Sequence, residues 1–506
     1  MALALLCAMI SSCREDVINP VKVDQYPPIF PDYIDVTIPD NIAPMNFCLV
    51  DDNGDALATE AVDVVVKGGR TGEIHIQDDY ADFPLDQWRQ LLNENKGEDL
   101  TFTVCAKTDG RWIQYKDFSM HISQYSLNDW GITYRTIAPG YEVGGFMGIY
   151  QRDIHSFDEY AILNVTAVTG QCINCHTPNR GKSDEYLIHL RGSKGGTMLK
   201  TSETDDPQWL NTKTDSTIAS MSYSDWHPSG RYVAAAVGKV HQLFRVGERP
   251  VIEVFDYMSD VVILDVKTNQ IILSPLLQTD GYETYPVFSS NGDTLYYCSA
   301  KWQNLPAEIE EIKYSLCKVA FDSQTGKIGD KVDTIKVEGL RAESQELEGD
   351  SSVINHPSSL TLPRPSYDGR WIMCCLSDYG IFPINHKEAD LWLYNLATQQ
   401  WKPLDMVNSQ SSESFHSWAS ESHWFVFSSR RTDGTTCNPF FAVIDNEGNA
   451  SRPFLLPQKN PLKYYQQRFE SFNCPQFINE KMNLDAHLAS HECLEGKRTN
   501  VTVKGQ

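Results

Sequence analysis

Four stretches of this chain repeat one pattern, and the repetition restricts the fold more than any other feature. Each opens on an apolar or aromatic residue, crosses a short polar turn that usually carries Gly, and runs into a hydrophobic strand: "WHPSGRYVAAAV" from Trp226, "FSSNGDTLYYCSA" from Phe288, "PSYDGRWIMCCL" from Pro365 and "WASESHWFVFSS" from Trp418. Each is followed by a second apolar strand and a hairpin turn, as in "VVILDVKTNQ", "KVAFDSQTGK", "LWLYNLATQQ" and "FFAVIDNEGN". A unit of this kind is one blade, and stacked blades bury one another's faces. Successive starts lie further apart than the roughly 40 to 45 residues of a minimal four-stranded blade. Insertions or further blades must fill the gaps, and the acidic stretch "GLRAESQELEGDSS" at 339–352 reads as one solvated insertion. The expectation over 206–480 is a β-propeller, six blades preferred, with a stacked pair of sandwiches as the rival.

The remainder is also strand-like. Segments such as "EIHI", "DLTFTVCA" and "HWFVFSS" alternate between turns of Gly, Asn, Asp and Pro. Helical periodicity is confined to "PLDQWRQLLNEN" at 84–95 and part of "PLKYYQQRFESF" at 461–472. The fold class expected is all-β. At 506 residues two or three domains are expected: a signal peptide over 1–12, an N-terminal β-sandwich-like domain over 13–125, a c-type haem-binding segment over 126–205, the propeller over 206–480 and a C-terminal tail over 481–506. The 43 basic and 67 acidic residues give a net charge of −24, with no Lys/Arg block to track a phosphate backbone. Nucleic acid is excluded as a partner.

The opening "MALALLCAMISSC" is apolar, too short to span a bilayer, and ends in small residues before Cys13. It reads as an export signal, and Ile-Ser-Ser-Cys resembles the lipobox of bacterial lipoproteins, in which Cys13 would carry the lipid. No Lys or Arg precedes the apolar run, which departs from that pattern. Arg14-Glu15-Asp16 resembles the acidic signals of surface-directed lipoproteins. The expected location is the envelope of a Gram-negative bacterium, as an outer-membrane lipoprotein, periplasmic or surface-exposed. Of the thirteen cysteines, an odd remainder of irregular spacing argues against a full disulfide framework, and Cys374-Cys375 inside an apolar run read as buried thiols.

"QCINCHTPN" at 171–179 matches Cys-x-x-Cys-His in full at Cys172, Cys175 and His176. In c-type attachment two thiols bond the porphyrin and the adjacent imidazole ligates iron. A zinc half-site would need a second ligand pair; His487, His491 and Cys493 are the best distant set. A plain Cys172–Cys175 disulfide is a further alternative, and a thioredoxin-like dithiol lacks its βαβ context. For a distal iron ligand, His189 in "YLIHLRG" and Met198 in "GGTML" compete; either is equally a packed core residue. Arg191 would pair with a haem propionate.

Together with these elements the repeats resemble the WD40-like propellers of the TolB family. The flanks "APGYEVGGFMGIYQRDIHSFDE", "EYLIHLRGSKGGTML" and "FLLPQKNPLKYYQQRFESFNCPQF" resemble a group of bacterial lipoproteins in which a β-rich N-terminal region, a CxxCH segment and a TolB-like propeller follow in that order. The resemblance implies one covalent haem c and the same architecture, and it favours His189 over Met198.

Hydrolase and phosphate motifs are missing: there is no Gly-x-Ser-x-Gly, no His-Glu-x-x-His, and "GKS" at 181–183 lacks the loop's first Gly. His416 in "SFHSW" reads as blade packing. Two functions follow: an anchored monohaem electron carrier whose propeller docks a redox partner or envelope complex, or a non-catalytic propeller binding a protein, peptide or glycan.

Overall fold

The computed structural model describes residues 14–138, 146–245, 251–337, 342–344, 353–355 and 358–505. The export signal and Cys13 lie outside them, as does most of the acidic insertion. Two compact units divide the chain: Met1–Gln124 with Pro457–Gln466, and Tyr125–Leu456 with Gln467–Gln506.

In the first unit, Ala61–Gly68 pairs with Glu73–Asp78 on one side and Asp99–Thr108 on the other, within a seven-stranded sheet. Val62, Val64 and Val66 alternate inward along the central strand. The helix expected at 84–95 forms as Leu85–Glu94. Pro84 precedes it, Trp88, Leu91 and Leu92 share its buried face, and Asn95 ends it by donating Nδ2 to the Leu91 and Thr71 carbonyls at 2.8 Å. Trp88 stacks on Phe83 at 5.3 Å and Phe102 on Phe118 at 4.8 Å. The unit is all-strand apart from this helix, its seven-stranded sheet branching where Asp99–Thr108 pairs with both Arg111–Gln114 and Phe118–Ile122, and Ile29–Phe30 forms a separate two-stranded pair with Cys48–Leu49.

The second unit is a β-propeller built from antiparallel four-stranded meanders. Gln171–Pro178 leads one, Met221–Trp226 and Tyr282–Phe288 the next two, Ser359–Pro365 and Glu413–Trp418 two more. In the closing sheet the inner strand is C-terminal: Ser471–Ile478 pairs with Gly131–Ile137, which leads to Met147–Asp153 and Glu159–Asn164. The inner strands neighbour one another in turn, and Ser471–Ile478 lies against both Glu413–Trp418 and Gln171–Pro178, so the ring closes. Discrete four-stranded blades, six in number, are not what the hydrogen bonding makes. Among the described residues the ladders of this unit give three four-stranded sheets, one of five, one of nine and a pair, Ala342–Ser344 with Val353–Asn355, because a parallel bridge at Ser259↔Tyr282 fuses two meanders and C-terminal strands extend others.

The recurring pattern has a geometric origin. Each quoted segment spans the turn from the inner strand to the second, where Gly230, Gly292 and Gly369 hold φ of 73°, 79° and 74°; in the fourth repeat Ser422 holds 61°. Every inner strand also carries a bulge at one equivalent place. Tyr223, Tyr285, Leu362, Phe415 and Cys474 sit there with φ of 46° to 52°, and their side chains join one apolar cluster with Phe255. The bulge increases local twist and re-aims these residues.

The segment 126–205, expected to stand apart, instead supplies strands of the propeller itself. The tail expected at 481–506 carries regular structure in its described residues, 481–505: Asp485 caps the helix Ala486–Glu495, and Thr499–Asn500 and Thr502–Val503 add to propeller sheets.

Candidate functional site at the mouth of the ring

The CxxCH motif lies on the inner strand Gln171–Pro178, across the bulge between Ile173 and His176. The bulge sends its parts in different directions. The Cys175 Sγ accepts from the Tyr223 N–H at 3.4 Å, toward the following meander, and Cys172 stands opposite Arg191. His176 turns to the preceding sheet, where its Nε2 meets Thr133 Oγ1 at 3.1 Å; it is 5 % exposed, and its Nδ1 has no hydrogen-bond partner. Burial, with Arg135 adding to it, drives the His176 pKa down to about 3, so the ring is neutral. A covalent haem needs both thiols and the imidazole on one macrocycle. Residues placed this way do not fit it.

The second-ligand candidates diverge as well. His189, paired opposite Thr197, bonds its hydroxyl through Nδ1 at 3.1 Å and is held neutral by burial, its pKa lowered to about 3. Met198, opposite Ile188, is fully buried with Ile173 and Trp209. His189 and Met198 are consecutive in register and occupy opposite faces of their sheet. Cys172 and Cys175 are not joined in a disulfide, and among the described residues no group of three or more His, Cys, Asp or Glu could hold a metal. On the C-terminal helix His487 and His491 are exposed while Cys493 is buried. His416 packs between blades, its Nε2 donating to the Met373 carbonyl at 2.9 Å.

A cavity does open where the inner strands end. It is small, with a volume of about 70 Å³, and is lined by Arg180, Asp225, Arg364, Tyr367, Ser417 and Gln476 among others. Its shape depends on the aromatic residues that open the repeats: Trp226 donates Nε1 to the Thr177 carbonyl and Trp418 to the Arg364 carbonyl, both at 2.9 Å, fixing each inner strand against the one before. Arg180, at a left-handed φ of 50°, donates to the Ser290 carbonyl at 2.9 Å and lies 4.8 Å above the Tyr367 ring. The Arg364 guanidinium makes one long contact, 3.5 Å to the Pro363 carbonyl. Among the described residues neither arginine forms an ion pair. Asp225 accepts from the Phe288 N–H at 3.0 Å. Burial pushes its carboxyl up to about 6 against the pull of Arg364 and Arg180.

None of these cavity residues was singled out from sequence. The available signal was position: Asp225, Val287, Arg364 and Ser417 each stand immediately before a repeat start, one structural place bearing unlike side chains.

No family model matches the chain, and no curated protein matches it. Solved structures similar to it include a candidate 6-phosphogluconolactonase of Bacteroides uniformis, 9 % identical over 82 % of this chain and 99 % of that one, TM-score 0.32. A periplasmic gluconolactonase of Pseudomonas aeruginosa is 10 % identical over 69 % and 99 %, TM-score 0.31. Prolyl oligopeptidase B of Galerina marginata is 9 % identical over 69 % and 52 %, TM-score 0.35.

Proposed function

We propose that this chain is a non-catalytic binding propeller whose ligand sits at the ring mouth. The supporting observation is the pair of guanidinium groups, Arg180 and Arg364, lining one cavity with Asp225 as the single acid beside them and, among the described residues, no ion pair to either. A half-buried cation of this kind favours an anion, because desolvation strengthens the attraction and a planar fork matches an oxyanion. The export signal, lipid attachment at Cys13 and the TolB-like resemblance belong to the same proposal, placing the mouth in the cell envelope of a Gram-negative bacterium.

The test is a thermal-shift screen of small anions on the full chain, beside Arg364→Ala. Stabilisation by anions that disappears in the variant supports the reading. Haem staining and a pyridine haemochrome spectrum, after export in a host that matures c-type cytochromes, test the rival: a c-type spectrum would replace ligand binding with electron transfer.

A further inference from the structure

The end of the ring away from the mouth carries a second feature, independent of the first. The inner strands run toward the mouth, so the pairings of Met221 with Val237 and of Tyr282 with Ala300 mark the opposite end. There the hairpin Tyr232–Arg245 with Val251–Asp265 continues past its blade, and four of its large apolar side chains, Leu243, Phe244, Tyr257 and Met258, are 38 to 51 % exposed. Apolar side chains projecting from a folded chain mark an interaction surface where they border a groove. Leu243 borders one. With Pro306, Ala307 and Ile309 it walls a groove of about 500 Å³, whose remaining lining is Glu308, Glu310 and Glu311.

Both walls are anchored in the fold. Leu243 stands opposite Glu253, whose carboxylate accepts from the Tyr379 hydroxyl at 2.5 Å. Ile309 is buried in the core with Leu305 and Tyr314, and the Asn304 N–H donates to Glu308 at 2.8 Å. Among the described residues neither Glu308 nor Glu311 forms an ion pair. Lys313, the next cation along that segment, donates to the Asp378 carbonyl and lies 5.7 Å above the Tyr379 ring. An apolar slot rimmed by carboxylates selects a cationic occupant. It disfavours an anionic lipid surface, and a chain of net charge −24 disfavours a second copy of itself.

We propose that this groove docks a basic amphipathic segment of a partner protein, with an apolar side chain against Leu243 and Pro306 and its Lys or Arg residues facing Glu308 and Glu311.

Fluorescence anisotropy of the full chain with a labelled helical peptide of leucine and lysine, beside a counterpart of leucine and glutamate, tests the assignment. The lysine peptide is expected to bind and the glutamate peptide not to. Glu308→Gln combined with Glu311→Gln should weaken the lysine peptide about tenfold at low salt, a loss that shrinks as salt is raised. Leu243→Ser should weaken it about tenfold at every salt concentration, and both variants should keep the parent melting temperature. Lysine-peptide binding that neither variant alters is attraction to the acidic surface at large and overturns the proposal, as does equal binding of the two peptides or no binding. A dimer in analytical ultracentrifugation, or flotation with phosphatidylglycerol vesicles, that Leu243→Ser abolishes gives the groove another occupant and overturns it too. Arg364→Ala, which tests the mouth, should leave peptide binding unchanged, so the two readings fail separately.

Discussion

Gly292 shows how closely single residues are set in the repeat. Its φ of 79° suits glycine, and a Cβ placed there would stand 2.2 Å from His227 Nε2, an atom that already meets the Gly292 carbonyl at 3.0 Å. Gly292→Ala is expected to cost about 1–3 kcal/mol, from backbone strain and displacement of the His227 ring; urea unfolding with an unchanged m-value would measure it. At this scale the sequence was informative about turns and poor about direction. The repeats disclosed where Gly230, Gly292 and Gly369 turn the chain, because the turn constrains residue type. The CxxCH spacing disclosed composition alone. A bulge between Ile173 and His176 decides which face each side chain reaches, and bulges leave no residue signature strong enough to read.

Among the elements, the hairpin Tyr232–Arg245 with Val251–Asp265 overruns its blade. Glu253 near its far end accepts from the Tyr379 hydroxyl at 2.5 Å and lies 3.6 Å from His386 Nε2, while His386 Nδ1 is 3.2 Å from Glu388. Burial alone would lower the His386 pKa, but Glu253 and Glu388 overcome it and raise it to about 9. Burial raises Asp256, on the same strand, to about 7 despite Arg191. Both groups bind protons more tightly folded than unfolded, so both contributions shrink as pH rises. The Asp256 part fades from about pH 4 through 7, and the His386 part is complete below about 6.5 and gone above about 9. Hydrogen exchange at 251–258, corrected for its intrinsic pH dependence, should accelerate between pH 7 and 9.5. Glu253→Gln should remove most of that step, because His386 then loses a carboxylate partner. The helices Leu85–Glu94 and Pro461–Gln466 were legible from proline and apolar spacing, whereas Ala486–Glu495 was not; nor was this long hairpin, since its strands read as ordinary blade strands and its reach is tertiary.

For the whole molecule, the ring depends on a strand from its own C-terminal region. Seven Gly131–Ile137 positions run beside Met147–Asp153 on one edge, and Ser471–Ile478 covers the other. Ending the chain at Glu470 would bare that edge and leave Tyr134 without its Phe472 neighbour, 4.8 Å away. The truncated chain is expected to aggregate or lose near-ultraviolet circular dichroism, which size exclusion and the spectrum would show. Propeller architecture was legible because four repeats carry it. The closing sheet was not, because its inner strand is far in sequence from the other three and "NCPQF" lacks the Gly turn that marks its counterparts.

The indole bonds at the rim join neighbouring inner strands: Trp226 donates to the Thr177 carbonyl and Trp418 to the Arg364 carbonyl. A force on Arg364 therefore reaches the strand that Trp418 ends, and the mouth responds as one rim rather than as separate residues.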